Sequence, residues 1–485
     1  MNVLFTSVEA APFAKAGGMA DVVGSLPAAL RKLGVDARVL MPGGGFIPHF
    51  KYNIQHLFSF PFTHRTGTTE VQVYHTEHDG VPFYFIQAWP YIGQERGVYQ
   101  DLSMDYPRMI FFSKACQAVA WQLKERLGWM PDVFHAHDWH TGLVPFLLVG
   151  SRWQEEWRHA GSMITIHNMA YQGDYAGPFL YEQGIPPRIE PRLWEMGKDN
   201  NLLAIGINYA DFVTTVSPRY AQEIQGPENG YGLEGLVRAR LPDLRGILNG
   251  IDMDYWNPAK DPMIAQHYDA DNWETQRAAN KAALQRKLGL PERPDVPLLG
   301  VVSRLTAQKG IDLLLPAMEG ILQLHDVQLV ALGSGEDRYE YGLWRLADRF
   351  RGKCAYENGY AEDLAHQIYA GSDVFLMPSN FEPCGTSQML AMRYGSLPLV
   401  RETGGLADTV QNYDNGAADY GTGFMFLWQE PYALYNTVRW ALETYTERPD
   451  AWRRMVQRAM TVDFSWDISA RQYADLYEES RKRHR

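Results

Sequence analysis

Five short stretches of this chain place charged or hydrogen-bonding side chains beside glycines or at the ends of apolar runs. In Lys15-Ala16-Gly17-Gly18 a cation precedes paired glycines, with Asp21 just beyond. Paired glycines let a backbone approach a ligand closely, and a helix starting there offers N–H groups to a phosphate. A glycine turn carrying a surface lysine is the plainer reading of the same residues. His135-Ala136-His137-Asp138-Trp139-His140 ends an apolar run and invites a metal reading. Neighbouring strand residues point to opposite faces and no second ligand cluster is evident, so hydrogen bonding is the expected role, with Asp138 and one histidine near a sugar. His167-Asn168 ends another apolar run with two groups able to bind hydroxyls, or with a satisfied core histidine.

The remaining two stretches carry the stronger charge pattern. In Val301–Gly310 an apolar strand meets a loop with Arg304 and Lys309, two cations five residues apart ahead of a helix. Arginine binds a diphosphate bidentately, and lysine acts as a point charge on it. In Phe381–Gln388, Glu382 sits in a Pro/Gly-rich turn before a helix. Its carboxylate suits sugar or ribose hydroxyls, while N–H groups near Thr386 and Ser387 suit phosphate. Cys384 has no paired base nearby to make it a nucleophile. No G-x-x-x-x-G-K-[ST] loop is present, and Gly333-Ser334-Gly335 does not continue into G-x-G-x-x-G, so neither a P-loop nor a dinucleotide cofactor is indicated. Asp252-Met253-Asp254 has the D-x-D form of metal-dependent transferases but reads as a structural turn. No metal and no cofactor are expected.

These stretches need strand ends to hold them. Short apolar runs alternate with helix-length segments: Val3–Val8, Ala37–Met41, Val133–His135, Met163–His167 and Phe212–Val216 read as strands. A second set reads as Gly246–Leu248, Leu298–Val302, Val327–Leu332, Val374–Met377 and Leu397–Val400. Such alternation implies parallel sheets covered on both faces. The 485 residues exceed what one core normally serves, so the expectation is α/β architecture with two Rossmann-like, doubly wound domains. Ligands bind beyond the carboxyl ends of such strands, so two facing domains would share a central cleft. A-G-G-M-A-D-V at Ala16–Val22 echoes T-G-G-L-A-D-T at Thr403–Thr409, which suggests a matching glycine-rich loop in each domain.

Composition narrows the partners. A net charge of −12 argues against nucleic acid or an anionic membrane, since both call for a basic face, and Arg481–Arg485 is too short to reverse it. The three cysteines are odd in number and far apart, which fits a reducing compartment. No signal-peptide pattern or membrane-length apolar run is seen, so a cytoplasmic location is expected.

In order along the whole chain, V-E-A-A-P-F-A-K-A-G-G-M-A-D-V-V-G, H-A-H-D-W-H-T-G, T-I-H-N-M-A-Y-Q-G, V-S-P, L-N-G-I-D, V-S-R-L-T-A-Q-K-G, S-N-F-E-P-C-G-T-S-Q, V-R-E-T-G-G-L-A-D-T-V and D-F-S-W resemble the ADP-glucose-dependent glycogen and starch synthases. The resemblance implies a GT-B fold: residues 1–245 as the first domain, 246–461 as the nucleotide-sugar domain, and 462–485 returning to the first. It implies metal-independent, retaining transfer of glucose from ADP-glucose to the non-reducing end of an α-1,4-glucan. Carried over by motif, Lys15, Gly17, Gly18 and Asp21 contact the donor from the first domain, and Arg304 and Lys309 stabilise departing ADP. Glu382 with Cys384 and Gly385 holds glucose, Thr386 and Ser387 lie by the phosphates, His167, Asn168 and Asp138 serve the sugar side, and Tyr360 packs near adenine. The chain departs from the pattern at Ala16, Ala204 and Thr386, while Leu390 stands where sucrose-handling relatives carry a second acid. A UDP-glucose donor and a catalytically silent glucan-binding paralogue are the competing readings.

Overall fold

The computed structural model describes residues 1–415 and 420–484, so Arg485 of the basic C-terminal run lies outside the described residues. The chain packs as two units, Met1–Gly250 with Trp466–Arg485, and Ile251–Ser465. Ile247 N still donates to Thr215 O (2.8 Å), and Gly250 lies against Trp466, which is why the division falls after Gly250 rather than after residue 245.

Among its described residues, unit 1 is built on β1 (Asn2–Thr6), β2 (Asp36–Pro42), β3 (Gln55–His64), β4 (Gly67–His78), β5 (Val81–Gln87), β6 (Val133–His137), β7 (Gly161–Ile166), β8 (Phe212–Thr215) and β9 (Leu244–Gly246). They form one sheet in the order β3-β4-β5-β2-β1-β6-β7-β8-β9. β1, β6, β7 and β8 are almost wholly buried apolar runs, as strands covered on both faces must be. β3 and β4 pair antiparallel with each other, and β4 pairs antiparallel with β5. Their burial alternates, with Phe58, Phe60, Val71 and Val73 inward. The sheet is therefore mixed rather than wholly parallel. The run near residue 246, expected to open the second sheet, instead closes the first as β9, parallel to β8.

Unit 2 holds β10 (Leu298–Val302), β11 (Gln328–Gly333), β12 (Cys354–Asn358), β13 (Val374–Met377), β14 (Leu397–Arg401) and β15 (Phe424–Phe426). All neighbours pair parallel in the order β12-β11-β10-β13-β14-β15. Numbered from β10, that is 3-2-1-4-5-6, the dinucleotide-binding order whose direction reverses between β10 and β13. In unit 1 the order reverses likewise between β1 and β6.

The C-terminal helix Trp466–Lys482 packs on the helix Gly18–Lys32 and on β6 and β7. Tyr473 and Tyr477 are its fully buried anchors, and Tyr477 Oη lies 2.7 Å from His135 Nδ1. Ser480 Oγ donates to Asp211 Oδ2 (3.0 Å), and Gly161 leaves room for it. No helix among the described residues is long and apolar enough to cross a membrane.

Candidate active site

Unit 2 places its chemistry at the reversal point. After β10 the chain turns through Ala307–Lys309 to Gly310, whose φ of +69° starts the helix Ile311–Leu324. After β13 it passes Pro378 and Ser379 to Glu382. Lys309 Nζ donates to Glu382 Oε2 at 2.6 Å, and Ser379 Oγ donates to the same oxygen at 3.1 Å. Glu382 is buried and Lys309 largely so, so the ion pair is shielded from water; Arg304 stands exposed on the same loop. The two loops are tied together by Asn380 N donating to Gln308 O (2.8 Å) and Asn380 Nδ2 to Ala307 O (2.6 Å). Gly404 and Gly405 press on the Glu382 turn: a Cβ at Gly404 would come within 1.9 Å of Glu382 O, and Gly405 N donates to that oxygen (3.1 Å). Gln388 Nε2 donates to Cys384 O and Gly385 O, fixing the turn from the next helix, where Thr386 and Ser387 stand at the first positions. Cys384 is buried, and Tyr360 is exposed just before the helix Glu362–Gly371. Arg304, Lys309, Glu382, Cys384, Gly385, Thr386 and Ser387 thus occupy strand-end loops on both sides of the β10/β13 reversal.

Unit 1 gathers its candidates at its own reversal. Asp138, at φ +53° after β6, accepts from the N–H groups of His167 (2.7 Å) and Asn168 (3.4 Å) after β7. His137 Nδ1 and His167 Nε2 lie 2.9 Å apart, and His135 Nε2 meets Thr165 Oγ1 at 2.6 Å. His137 and His167 thus pair with each other, and His135 with the hydroxyls of Thr165 and Tyr477; among the described residues no group of three or more His, Cys, Asp or Glu is arranged to hold a metal ion. Burial pushes His140 and His167 down to about 3, and drives His135 and His137 well below the usual imidazole range. Burial raises Asp138 to about 7 against the two N–H bonds, with Glu9 adding to the rise. His137 Nε2 and His140 Nδ1 are buried without a hydrogen-bond partner in the structure.

The K-A-G-G stretch departs in one respect from its sequence reading. Lys15 Nζ pairs with Asp21 Oδ1 at 2.7 Å on the exposed surface, and Gly17 caps the helix Gly18–Lys32. The N–H groups of Ala16 and Gly17 are both taken, at 2.7 Å each, by Oε2 of buried Glu9. Glu9 Oε1 accepts from Tyr99 Oη, and the Tyr99 ring stacks on His140 with centroids 5.3 Å apart. Sequence reasoning assigned no role to Glu9 or Tyr99: Glu9 stands eight residues before Gly17 in its stretch, and Tyr99 lies in none of the motifs. Asp252 Oδ1 accepts from Asp254 N and Tyr255 N, so the D-x-D stretch closes a turn.

Residues 2–239 match the starch synthase catalytic domain family, and residues 281–458 match the glycosyl transferases group 1 family. Over 99% of its length the chain is 42% identical to a glycogen synthase of Geobacillus thermodenitrificans, covering 98% of that protein. It is 41% identical to one of Streptococcus sanguinis, over 99% of each chain. The chain belongs to the glycogen and starch synthase family. A solved member, the catalytic domain of starch synthase IV from Arabidopsis thaliana bound to ADP and acarbose, superposes with a TM-score of 0.89 at 31% identity, over 99% of both chains. This synthase-family chain is therefore a glycosyltransferase of GT-B fold. Its departure at Ala204 has a structural counterpart: Ala204 is fully buried in the helix Leu202–Tyr209, its N–H capped by Asn201 Oδ1 at 2.8 Å.

Proposed function

We propose that this enzyme transfers glucose from ADP-glucose to the non-reducing end of an α-1,4-glucan, with retention and without a metal ion. The observation that carries the reading is the cluster of Lys309, Ser379 and Glu382, with Arg304 exposed on the same loop as Lys309, at the β10/β13 reversal of a sheet with the dinucleotide-binding strand order. The name of the Geobacillus relative and the ADP in the Arabidopsis structure support the choice of reaction and donor. As the glycosidic bond stretches, negative charge gathers on the departing diphosphate and positive charge on the sugar. Fixed cations stabilise the first, which is the part given to Arg304 and Lys309. An ammonium has three donors, so Lys309 can keep Glu382 and still reach a phosphate oxygen. Glu382, held by Lys309 and Ser379, is assigned to the glucose hydroxyls, with Thr386 and Ser387 on the phosphate side and Tyr360 near adenine. On the unit 1 side, His167 is neutral at physiological pH and serves as a hydrogen-bonding group; Asp138 and Asn168 share the sugar, while Lys15, Gly18 and Asp21 serve the donor. The sequence presents no nucleophile with a paired base for a covalent intermediate, and attack by the acceptor hydroxyl on the face the diphosphate leaves is the assigned route.

Glucose incorporation into glycogen from ADP-glucose and from UDP-glucose, each with and without a chelator, tests the reading. ADP-glucose is expected to be the better donor by at least about tenfold, roughly 1.4 kcal/mol of discrimination, with no effect of chelator. A UDP-glucose preference, or loss of activity on chelation, overturns the corresponding part, and a trapped glucosyl-enzyme overturns the direct attack.

A further inference from the structure

The first turn of a helix entered through glycines is where a family of phosphate-handling proteins places an anion, yet here a protein carboxylate already lies there. Glu9 is buried, and a single oxygen, Oε2, takes both the Ala16 and Gly17 N–H groups at 2.7 Å. The other oxygen takes the Tyr99 hydroxyl, and Tyr99 stacks on His140, whose ring lies tilted against Trp139 with centroids 4.2 Å apart. One side chain thereby joins the loop after β1, the segment before the helix Leu102–Leu127, and the loop after β6. Those pieces carry Lys15, Gly17 and Gly18, then Tyr99, then Asp138 and His140. A Cβ at Gly17 would lie 3.8 Å from Glu9 Oε1, and one at Gly18 would meet nothing within 4 Å, so the loop closes on Glu9 at Gly17 and opens outward at Gly18.

We infer that Glu9 is a positioning residue: its carboxylate acts as an internal anion that occupies the Ala16 and Gly17 N–H groups, fixes Lys15 and Gly18 for the donor, and holds Tyr99 against His140. The inference rests on the donor reading above. It follows that the donor diphosphate meets Lys15 and the turn from Gly18 onward, not the two N–H groups preceding it. Charge-assisted N–H bonds to a carboxylate are roughly twice as strong as neutral ones. An amide at position 9 keeps the two bonds in weaker form but replaces the acceptor facing Tyr99 with a donor.

The test compares wild type, Glu9→Ala and Glu9→Gln in steady-state kinetics and in hydrogen exchange of the peptide spanning residues 10–20. Glu9→Ala is expected to lose on the order of tenfold in kcat, with KM for the glucan unchanged, and to regain part of it in millimolar formate, which can enter the vacated place between the N–H groups. Formate is expected to leave wild type and Glu9→Gln unaffected. Exchange in the peptide should accelerate in Glu9→Ala and slow again with formate. Glu9→Gln should fall between the two in kcat at an unchanged melting temperature, and it decides the matter if Glu9→Ala does not fold. Wild-type kcat in both variants, or exchange unchanged by removing the carboxylate, overturns the inference. The exchange arm reads the loop whatever the donor is, so a wild type inert toward ADP-glucose overturns the donor reading alone.

Discussion

Lys309 and Arg304 bring the same charge to one loop but stand in different surroundings. Lys309 neutralises a buried carboxylate 2.6 Å away, whereas Arg304 is exposed. Removing Lys309 strands the Glu382 charge away from water, which costs a few kcal/mol when a shielded pair is broken from one side. Removing Arg304 leaves no such charge behind. Lys309→Ala and Arg304→Ala are both expected to lower kcat by about 10²–10³, the usual loss for one donor to a developing anion. Only Lys309→Ala should also lower the melting temperature. Steady-state kinetics with differential scanning calorimetry separate the two effects; equal melting temperatures for the two variants would mean that the Lys309–Glu382 pair contributes nothing to the fold. The same contrast explains what sequence reading could see. Cations at a strand end are visible in the order of residues, but their pairing with Glu382, 73 positions on, is a product of the sheet order.

The two glycine-rich loops share a construction that neither sequence stretch displays. Each is closed by a glutamate of its own unit: the first by the Glu9 side chain, the second by the Glu382 carbonyl, which accepts from Gly405 N. A third glycine, Gly310, lets the Lys309 loop meet the strand-end loop after β13. Its φ is +69°, and a Cβ there would lie 1.9 Å from Pro378 O. A left-handed backbone costs a residue with a Cβ about 1–2 kcal/mol, and the clash with a carbonyl adds to it. Gly310→Ala should therefore destabilise by at least about 2 kcal/mol and displace Lys309. Gly34→Ala, at φ +84° with nothing within 4 Å, should cost only the backbone share. Denaturant unfolding of the two variants checks this, and equal losses would show that the contact with Pro378 is relieved without strain. Much of the parallel core was legible because Val3–Val8, Leu298–Val302 and Val374–Met377 are apolar runs between turn residues. β3 and β4 were not: one face of that antiparallel pair is solvated, and Pro61 interrupts the run. The sequence reads as a strand at Gly246–Leu248 where the structure has Leu244–Gly246, and three residues do not say which sheet they join. Glu9 was visible only as one letter of the V-E-A-A-P-F-A-K-A-G-G stretch, since its partners follow from a turn seven and eight residues on.

At the scale of the whole chain, the unit 1 site stores an uneven set of protonation costs. His135, His137, His140 and His167 are held neutral by burial, so in each case the unfolded chain binds protons first as pH drops. Stability present above pH 6.5 is therefore lost as pH falls toward about 3. Asp138 works in the opposite direction: raised from 3.8 to about 7, it favours the folded chain fully below 3.8, and that contribution is lost as pH rises through 7. Between these limits four imidazoles oppose one carboxylate, each worth up to about 1.4 kcal/mol per pH unit, so the imidazoles win below 6.5 and the carboxylate alone acts just above it. Unit 2's cluster of Lys309, Ser379 and Glu382 includes no histidine. Acidification from pH 6.5 to 5.5 should lower the melting temperature of the unit 1 transition by roughly 5–10 °C, and hydrogen exchange should rise in β6 and β7 before β10 and β13. Calorimetry and exchange across that window check the balance. A melting temperature that is flat from 6.5 to 5.5 would mean that the histidine cluster takes up protons without opening, which its burial and its mutual hydrogen bonds argue against.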